Sequence, residues 1–510
     1  MKNKACNPAW DRPLWPLNVP LVAKSPLERI AKQSGIYALG NLALKLGGLL
    51  LIPLYVNTLS EASYGYFALL DATARVLVMM LGLGLGTGLL RFMTHPDHAE
   101  DHISLPFTAW ATAMGVSAVG VVLVWALAPG IASALLDDAA RSPLVQWMGL
   151  YAGLKVVEAI PIMLLRTRER AGWYVVATVL ELAVLIVAAF LLLRQGRGVL
   201  GIMQAYAFSA GVGAVVLSGA MLKRERWVFR ASLIQPLVRF GAPLVMAGLA
   251  ALVLNIGDRY VLKGLLDSAA VGVYDWASRL GGVINMLFVQ SFQLAFGVIG
   301  LKALALQEEG IALYRRTFRH FVIWTGWGVL GLSLFALDFT ALIANKAAYL
   351  AADQLVLPIG LGFMAYGIYH IAVNVLYASG DTQHIARMVI IAALANVGLN
   401  IVLIPILGSV GAALTTGGAY ALLAALAVRQ ARQHLKVNYA WRTLGIVLVL
   451  IGTLWGIGQV TQPWSPGARF ATRVLIVFAY LPLLYLCRLY RRDELVSLWR
   501  LLQARRPQPR

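Results

Sequence analysis

The sequence is poor in charged residues and has almost no cysteine. Charged residues make up 13% of the 510 residues, about half of the share that is usual in soluble proteins. Hydrophobic residues make up 60%, and the mean hydropathy is +0.74. These values exclude an ordinary soluble domain. The two cysteines, Cys6 and Cys487, exclude a disulfide framework and indicate free thiols.

The chain also lacks the features that membrane-bound enzymes carry. It has no phosphate-binding loop, no His-Glu-x-x-His, no Cys-x-x-Cys pair and no Gly-x-Ser-x-Gly. A glycosyltransferase, polymerase or ligase would need a sizeable outer loop with catalytic residues, and no polar connection here is that long. The histidines of residues 94–104 match no tight ligand pattern. We therefore predict a protein that is not an enzyme and that holds no cofactor or metal.

Long apolar blocks fill most of the sequence. A helix needs about 20 such residues to cross roughly 30 Å of hydrocarbon. We predict an all-α polytopic membrane protein with about fourteen transmembrane helices. The predicted spans are residues 33–57, 63–91, 105–128, 144–165, 173–193, 199–222, 239–262, 271–300, 320–343, 353–378, 384–406, 408–432, 441–460 and 470–490.

The basic residues predict the orientation of these spans. If the N-terminus is inside, most of the 43 Lys and Arg lie in inner segments, as the positive-inside rule requires. We therefore expect a multi-pass membrane protein with both termini cytoplasmic. The net charge of +20 then reflects topology and contact with anionic membrane lipids, and we predict no nucleic acid partner.

Two pairs of short segments indicate an internal repeat. Residues 59–67 align with residues 266–274, and residues 199–201 align with residues 409–411. Six predicted spans separate the copies, which is typical of a parallel repeat. We predict a cytoplasmic tail at 1–32, a first lobe at 33–222 (spans 1–6), a second lobe at 239–432 (spans 7–12), spans 13 and 14 at 441–490, and a second cytoplasmic tail at 491–510.

Residues 254–282 place four charges in or beside two consecutive spans: Asp258 and Arg259, then Asp275 and Arg279. An ionisable group at bilayer depth costs about 2.5–3.5 kcal/mol by insertion scales, so it normally faces a partner or a water-filled cavity. Asp275 and Arg279 are four residues apart and can pair on one helical face. This stretch is therefore our first candidate for a transport pathway.

The first lobe carries similar charges, at Lys45, Asp71, Arg75, Lys155, Glu158 and Glu181. Asp71 and Arg75 can pair on one helix, and so can Lys155 and Glu158. Such pairs either hold helices together in a dry bundle or line a cavity, and the sequence leaves both readings open. Lys45 has no partner on its own helix, which favours a cavity for that residue.

Polar aromatic residues cluster in the tenth predicted span, at Tyr366, Tyr369 and His370, with Asn374 beside them. Side chains of this kind suit hydrogen bonds to sugar hydroxyls. The same groups also hold helices together in any membrane bundle, and we favour that packing role.

Several segments resemble the polysaccharide transporter (Wzx-type flippase) family of the multidrug/oligosaccharidyl-lipid/polysaccharide exporter superfamily. The resemblance covers about residues 30–492 and rests on residues 34–37, 62–66, 166–170, 254–282, 376–382 and 400–413. The last segment, which ends in Gly408-Ser-Val-Gly411-Ala, is the most specific. A basic residue usual in the family is absent here, because Ile406 follows Pro405, so no role transfers to that position.

The resemblance implies two six-helix lobes around a charged central cavity. It further implies transport of an undecaprenyl-pyrophosphate-linked oligosaccharide across the bacterial inner membrane by alternating access, for O-antigen, capsule or exopolysaccharide assembly. A polysaccharide polymerase and chain-length machinery would be partners. By depth and charge, the candidate substrate-binding residues are Lys45, Arg75, Lys155, Arg259 and Arg279. The candidate ion-pair or coupling residues are Asp71, Glu158, Glu181, Asp258 and Asp275.

Two other functions remain open within the same superfamily. A cation-coupled multidrug exporter would share the fold, although many basic residues in a cavity would disfavour cationic drugs. A lipid II flippase is a closer relative, but residues 33–37 lack the Ser-Arg-x-x-Gly-type opening of that group.

Overall fold

The computed structural model describes residues 51–94, 101–168, 170–303, 307–344, 346–379, 381–435 and 437–489. Lys45 and both predicted tails therefore lie outside the described residues, as does most of the first predicted span. The described chain is almost entirely helical. Helices suit a bilayer because they satisfy every backbone hydrogen bond within one segment.

We number the helices in chain order. They are α1 (residues 51–58), α2 (Glu61–Gly82), α3 (Leu85–Thr94), α4 (Leu105–Leu136), α5 (Ser142–Thr167), α6 (Ala171–Arg194), α7 (Gly198–Leu222), α8 (Ile234–Leu265), α9 (Ser268–Ile284), α10 (Ser291–Ala303), α11 (Gln307–Ile343), α12 (Asp353–Ala378), α13 (Thr382–Leu407), α14 (Ser409–His434), α15 (Trp441–Val460) and α16 (Pro466–Leu486).

Among the described residues, 12 helices are long and apolar enough to cross a membrane. The eighth predicted span, 271–300, corresponds to α9, a π-helical turn at Asn285–Gln290 and α10, which follow one another without a break. The prediction of an all-α membrane protein is confirmed. The orientation of the termini stays a prediction.

The second predicted span was wrong in one respect, because it is two helices and not one. The helix is interrupted between α2 and α3 at Leu83 and Gly84, which have φ values of 48° and 69°. Gly84 lies directly against Gly241 of α8, where a side chain on either residue would overlap backbone atoms. A left-handed turn at such a close approach favours glycine, and only the tertiary contact reveals it.

The helices pack in two groups. Helices α2, α4, α5, α6 and α7 contact one another, and α8, α9 and α11 to α14 do the same. Helix α2 packs on α9, and α3 packs on α8, which joins the groups. Helices α15 and α16 lie on α11, where Arg473 binds Asp338 at 2.7 Å and has a fully buried side chain. The exact lobe boundaries stay a prediction.

The predicted repeat appears as a reciprocal contact between α2 and α9. Ser60 caps α2, and Asp267, its equivalent 207 residues later, caps α9. The backbone at Gly65 lies against Ser268, and the backbone at Gly272 lies against Glu61. Since Gly65 corresponds to Gly272 and Glu61 to Ser268, each copy presents the same surface to the other. Such a self-complementary contact is what a two-fold relation produces.

The connection between α12 and α13 is held to the end of α14 through Asp381. This carboxylate accepts hydrogen bonds from His384 and, at 3.0 Å, from Gln430 Nε2, and His434 Nε2 lies 3.4 Å from it. The contact with His384, followed by those with Gln430 and His434, lowers the pKa of Asp381 to about 2. The ionised carboxylate therefore stabilises this end of the bundle.

We expect Asp381→Asn to remove a small, pH-dependent part of the stability. Because the pKa of Asp381 in the fold lies below its ordinary value of about 3.9, the stabilisation is complete above about pH 4 and is lost as the pH falls through about 2. Surface ion pairs contribute little, so we expect a difference of about one or two degrees in Tm at pH 6. Thermal unfolding of both proteins at pH 6 and pH 2.5 measures it. A difference of equal size at both pH values would contradict the assignment.

Candidate functional site

A cavity of about 200 Å³ lies between α2, α8, α9, α12 and α14. Its charged lining residues are Asp71, Arg75, Asp258, Arg259, Asp275 and Arg279. Residues 71 and 75 lie near the middle of α2, so the cavity is near the middle of the bundle. Drug-sized ligand pockets have volumes of about 300–1,000 Å³. This cavity is therefore too small for an oligosaccharide in this conformation.

Five of these residues form one continuous chain of ion pairs, which we call the arginine chain: Arg259, Asp275, Arg279, Asp71 and Arg75. Arg259 Nε donates to Asp275 Oδ1 at 2.8 Å, and Arg279 Nε donates to Asp275 Oδ2 at 2.6 Å. Arg279 Nη2 lies 3.5 Å from Asp71 Oδ2, which also accepts from Arg75 Nη2 at 2.7 Å. Contacts between Arg279 and Asp71 thus connect α9 to α2.

The exposure of the three arginine side chains increases from Arg259 through Arg279 to Arg75. The Asp275 side chain is 3% exposed between its two arginines, whereas the side chains of Arg279 and Arg75 are 23% and 55% exposed. Each guanidinium carries five N–H donors and no acceptor. Arg75 uses one of them on Asp71, which leaves donors directed toward the cavity.

Asp258 is in a different environment from its neighbour Arg259. Its Oδ2 atom accepts hydrogen bonds from the Tyr274 hydroxyl and, at 2.8 Å, from Thr416 Oγ1. The residue is 1% exposed, and its Oδ1 atom has no hydrogen-bond partner among the described residues. The described cavity lining thus holds three arginines and three aspartates. The sequence suggested a cavity dominated by positive charge, but in the described lining the positive and negative residues are equal in number. The lining is nevertheless rich in hydrogen-bond donors.

Close glycine contacts hold α2 against the second helix group at both of its ends. Gly65 contacts the start of α9 at one end, and Gly84, just past the other end, contacts Gly241 of α8. The two glycines are 19 residues apart in sequence, which corresponds to about 28 Å along a helix and is close to the thickness of the hydrocarbon core. Asp71 and Arg75 lie between them, so the arginine chain is enclosed between two contacts at opposite ends of α2.

Lys155 lies in a second cluster, which does not line this cavity. Its Nζ atom is 2.8 Å from Glu158 Oε2 and 2.6 Å from Glu181 Oε1, so it joins α5 to α6. Glu158 is 2% exposed and faces Gly213 of α7, where an added Cβ would lie 3.0 Å from the carboxylate. The structure therefore brings together three of the five predicted substrate-binding residues and separates Lys155 from them.

Sequence reasoning did not select four uncharged residues that line the cavity: Asn255, Tyr274, Thr416 and Tyr420. Tyr420 donates to Asn255 Oδ1 at 2.8 Å, and the Asn255 carbonyl oxygen accepts from Arg259 Nη1 at 3.2 Å. Asn255 is one helical turn before Arg259, which is a usable sequence signal. No sequence signal pointed to Thr416 or Tyr420, because these residues reach the cavity only through the packing of α14.

Two family models match this chain. The model for "Polysaccharide biosynthesis protein" matches residues 30–299, and the model for "Lipid II flippase MurJ" matches residues 344–475. A search of curated protein sequences gave no significant match.

Solved structures show the same fold. The lipid II flippase MurJ in an inward closed conformation has a TM-score of 0.72 at 13% identity, covering 89% of this chain and 99% of that one. An inward-facing multidrug resistance MATE family transporter of the MOP superfamily has a TM-score of 0.63 at 14% identity, covering 80% and 98%. A MOP superfamily transporter from Pyrococcus furiosus, whose binding pocket is described as having reversed polarity, has a TM-score of 0.57 at 15% identity, covering 80% and 96%.

The first family model spans more than half of the chain, and the fold is shared with the solved MurJ and MATE structures. The chain is therefore a multi-pass membrane protein that belongs to the polysaccharide biosynthesis protein family.

Proposed function

We propose that the protein is a flippase that moves a polyprenyl-pyrophosphate-linked oligosaccharide across the bacterial inner membrane by alternating access. The arginine chain is the observation that carries this proposal. Its exposed members, Arg75 and Arg279, offer guanidinium donors at mid-depth in the bundle. Guanidinium groups bind phosphate oxygens in a planar, bidentate geometry, which suits a pyrophosphate better than a neutral or cationic ligand.

The contact between Arg279 and Asp71 suggests how binding is linked to movement. It crosses from α9 to α2 and, at 3.5 Å, is the longest link in the arginine chain. A pyrophosphate bound to Arg75 and Arg279 competes with Asp71 for the same donors. Binding therefore weakens a connection between the two helix groups and favours their separation, which enlarges the cavity for the sugars while the polyprenyl chain stays in lipid.

The experiment replaces Arg75 by Ala and by Lys in a strain that depends on this protein for its surface polysaccharide. We expect Arg75→Ala to lower surface polysaccharide at least about tenfold, since losing a hydrogen bond to a charged group costs about 1.5–3 kcal/mol. Arg75→Lys keeps the charge without the bidentate geometry, so we expect an intermediate level.

Arg141→Ala is the matched control. Arg141 is also partly exposed, but it packs over the Tyr66 ring away from the cavity, so this variant should behave as wild type. If Arg75→Ala is present in the membrane at wild-type level and the cells still make normal surface polysaccharide, Arg75 does not bind the pyrophosphate headgroup.

Lipid II flipping is the second candidate function, and the match of residues 344–475 to the MurJ model favours it. Lipid II is also a polyprenyl-pyrophosphate-linked saccharide, so the arginine chain does not separate the two functions. Depleting the host's own lipid II flippase separates them. We expect no rescue of growth by this protein, and rescue would favour the lipid II function.

A further inference from the structure

The aromatic residues of α12 form a surface that continues the cavity wall away from the arginine chain. Ile359 and Phe363 line the cavity, and Tyr366 and His370 follow at helical spacings of three and four residues. Residues at these spacings share one helix face. From Phe363 to His370 this face extends for about 10 Å.

Direct contacts connect this face to the cavity. The Tyr366 ring lies 4.9 Å from the Tyr420 ring and 4.5 Å from the His370 ring, measured between ring centroids. The Tyr420 hydroxyl donates to the side-chain Oδ1 of Asn255, and the backbone carbonyl oxygen of Asn255 accepts from Arg259 Nη1. A short path therefore leads from the arginine chain to the aromatic pair.

Two kinds of aromatic residue occur on this part of α12 and beside it on α14. Tyr369 and Tyr420 are buried and belong to the hydrophobic core of the second helix group. Tyr366 and His370 are only partly buried, and neither has a hydrogen-bond partner among the described residues. The packing role that the sequence favoured thus fits Tyr369, but it does not explain the polar atoms of Tyr366 and His370.

The chemistry of this partly buried pair is that of a saccharide site. A sugar ring has an apolar C–H face and a rim of hydroxyl groups. An aromatic ring with a polar edge contacts both, because its face is apolar and its hydroxyl or ring nitrogen forms hydrogen bonds. We propose that Tyr366 and His370 form a saccharide subsite that binds the sugar next to the pyrophosphate. This inference rests on the proposed function and adds to it the part of the site that recognises the glycan.

The test compares two ligands on the full chain in lipid nanodiscs. One is undecaprenyl pyrophosphate, and the other is the polyprenyl-pyrophosphate-linked oligosaccharide pool extracted from the source strain. Wild type should bind the glycosylated lipid more tightly. Tyr366→Ala removes the ring, so it should weaken binding of the glycosylated lipid by up to about tenfold. Binding of undecaprenyl pyrophosphate should not change.

Three further variants separate the role of the Tyr366 ring from that of its hydroxyl, test His370 and provide a control. Tyr366→Phe keeps the ring and should retain most of the preference for the glycosylated lipid, and His370→Ala should lose part of it. Tyr485→Ala removes a tyrosine that is 45% exposed on α16, and it should bind both lipids as wild type does. Because Tyr366 is only partly buried but packs against the core of the second helix group, the Tm of each variant is measured, and binding is compared only between variants with Tm values close to that of wild type.

The outcomes separate the two proposals. If Tyr366→Ala binds both lipids as wild type does, or weakens both equally, the saccharide subsite is wrong and the flippase proposal stands. If wild type binds both lipids equally, the subsite is also wrong. If wild type binds neither lipid, the proposed function fails, and the subsite fails with it.

Discussion

Replacing Asp275 by Asn should destabilise the protein by about 3–5 kcal/mol, because it leaves two arginine side chains without their shared counter-ion in the interior of the bundle. Asp275 is 3% exposed and accepts from Arg259 at 2.8 Å and from Arg279 at 2.6 Å. Because the amide of Asn keeps the shape of the Asp side chain, the decrease in the free energy of unfolding measures the lost charge and not a change in packing. Thermal and denaturant unfolding in the same detergent measure the change, and surface polysaccharide should fall to the background level.

A surface carboxylate provides the matched control for this prediction. Asp137 binds one cation, Lys263, and its side chain is 59% exposed. Asp137→Asn should cost less than about 1 kcal/mol. The double variant Asp275→Asn, Arg279→Met removes one of the two arginines that lose Asp275 as a counter-ion and should recover part of the loss. Equal stability of the two Asp→Asn variants would show that Asp275 does not neutralise buried arginines.

The second large effect is expected at Gly65, where α2 meets α9. A side chain there would overlap the backbone of Ser268, so Gly65→Leu cannot adopt the contact that holds this end of the two helix groups together. Since a packed core does not absorb such a change, we expect the groups to stay apart at this end. The protein should insert in the membrane, but it should transport little because it cannot close on this side.

Accessibility of the cavity measures this effect. Ser278 lines the cavity and is replaced by Cys in a variant in which Cys6 and Cys487 are Ala. With the predicted orientation, the start of α2 is on the periplasmic side. A membrane-impermeant maleimide added to whole cells should therefore label S278C several-fold more in the Gly65→Leu background.

Gly82→Leu is the matched control, because a side chain at Gly82 meets no atom within 4 Å. It should leave labelling and transport unchanged. Labelling of S278C that does not respond to Gly65→Leu would contradict a gating role for the contact between α2 and α9.

Much of the fold could be predicted from the sequence, because bilayer thickness sets the length of each apolar block. The repeat could also be detected, since Gly65 and Gly272 occupy equivalent positions and each meets the other copy. The break at Leu83 and Gly84 could not be predicted. It depends on the approach of Gly241 from α8, and a hydropathy pattern carries no information about that contact.

The site was predictable only in part. Spacings of four residues correctly indicated that Asp71 pairs with Arg75 and Asp275 with Arg279, because helix geometry fixes such pairs. The ion pairs and hydrogen bonds between different helices depend on how the helices pack, so the sequence did not predict them. In particular, Arg259 binds Asp275 and not the adjacent Asp258, whose partners Tyr274 and Thr416 come from two other helices.

The buried charge at Arg473 shows the same limit. Arg473 lies near the start of the last predicted span, 470–490, and the sequence indicates no partner for it. The structure buries it completely against Asp338 of α11. Only the packing of α16 on α11 shows that it helps attach the last two helices.

The central claim is that the arginine chain receives a pyrophosphate headgroup. Equilibrium binding of undecaprenyl pyrophosphate and of undecaprenol to the protein in nanodiscs, with and without Arg75→Ala, tests it most directly. We predict that wild type binds the pyrophosphate lipid at least about tenfold more tightly than the alcohol, and that Arg75→Ala abolishes most of this preference. Equal affinity of wild type for the two lipids would contradict the claim.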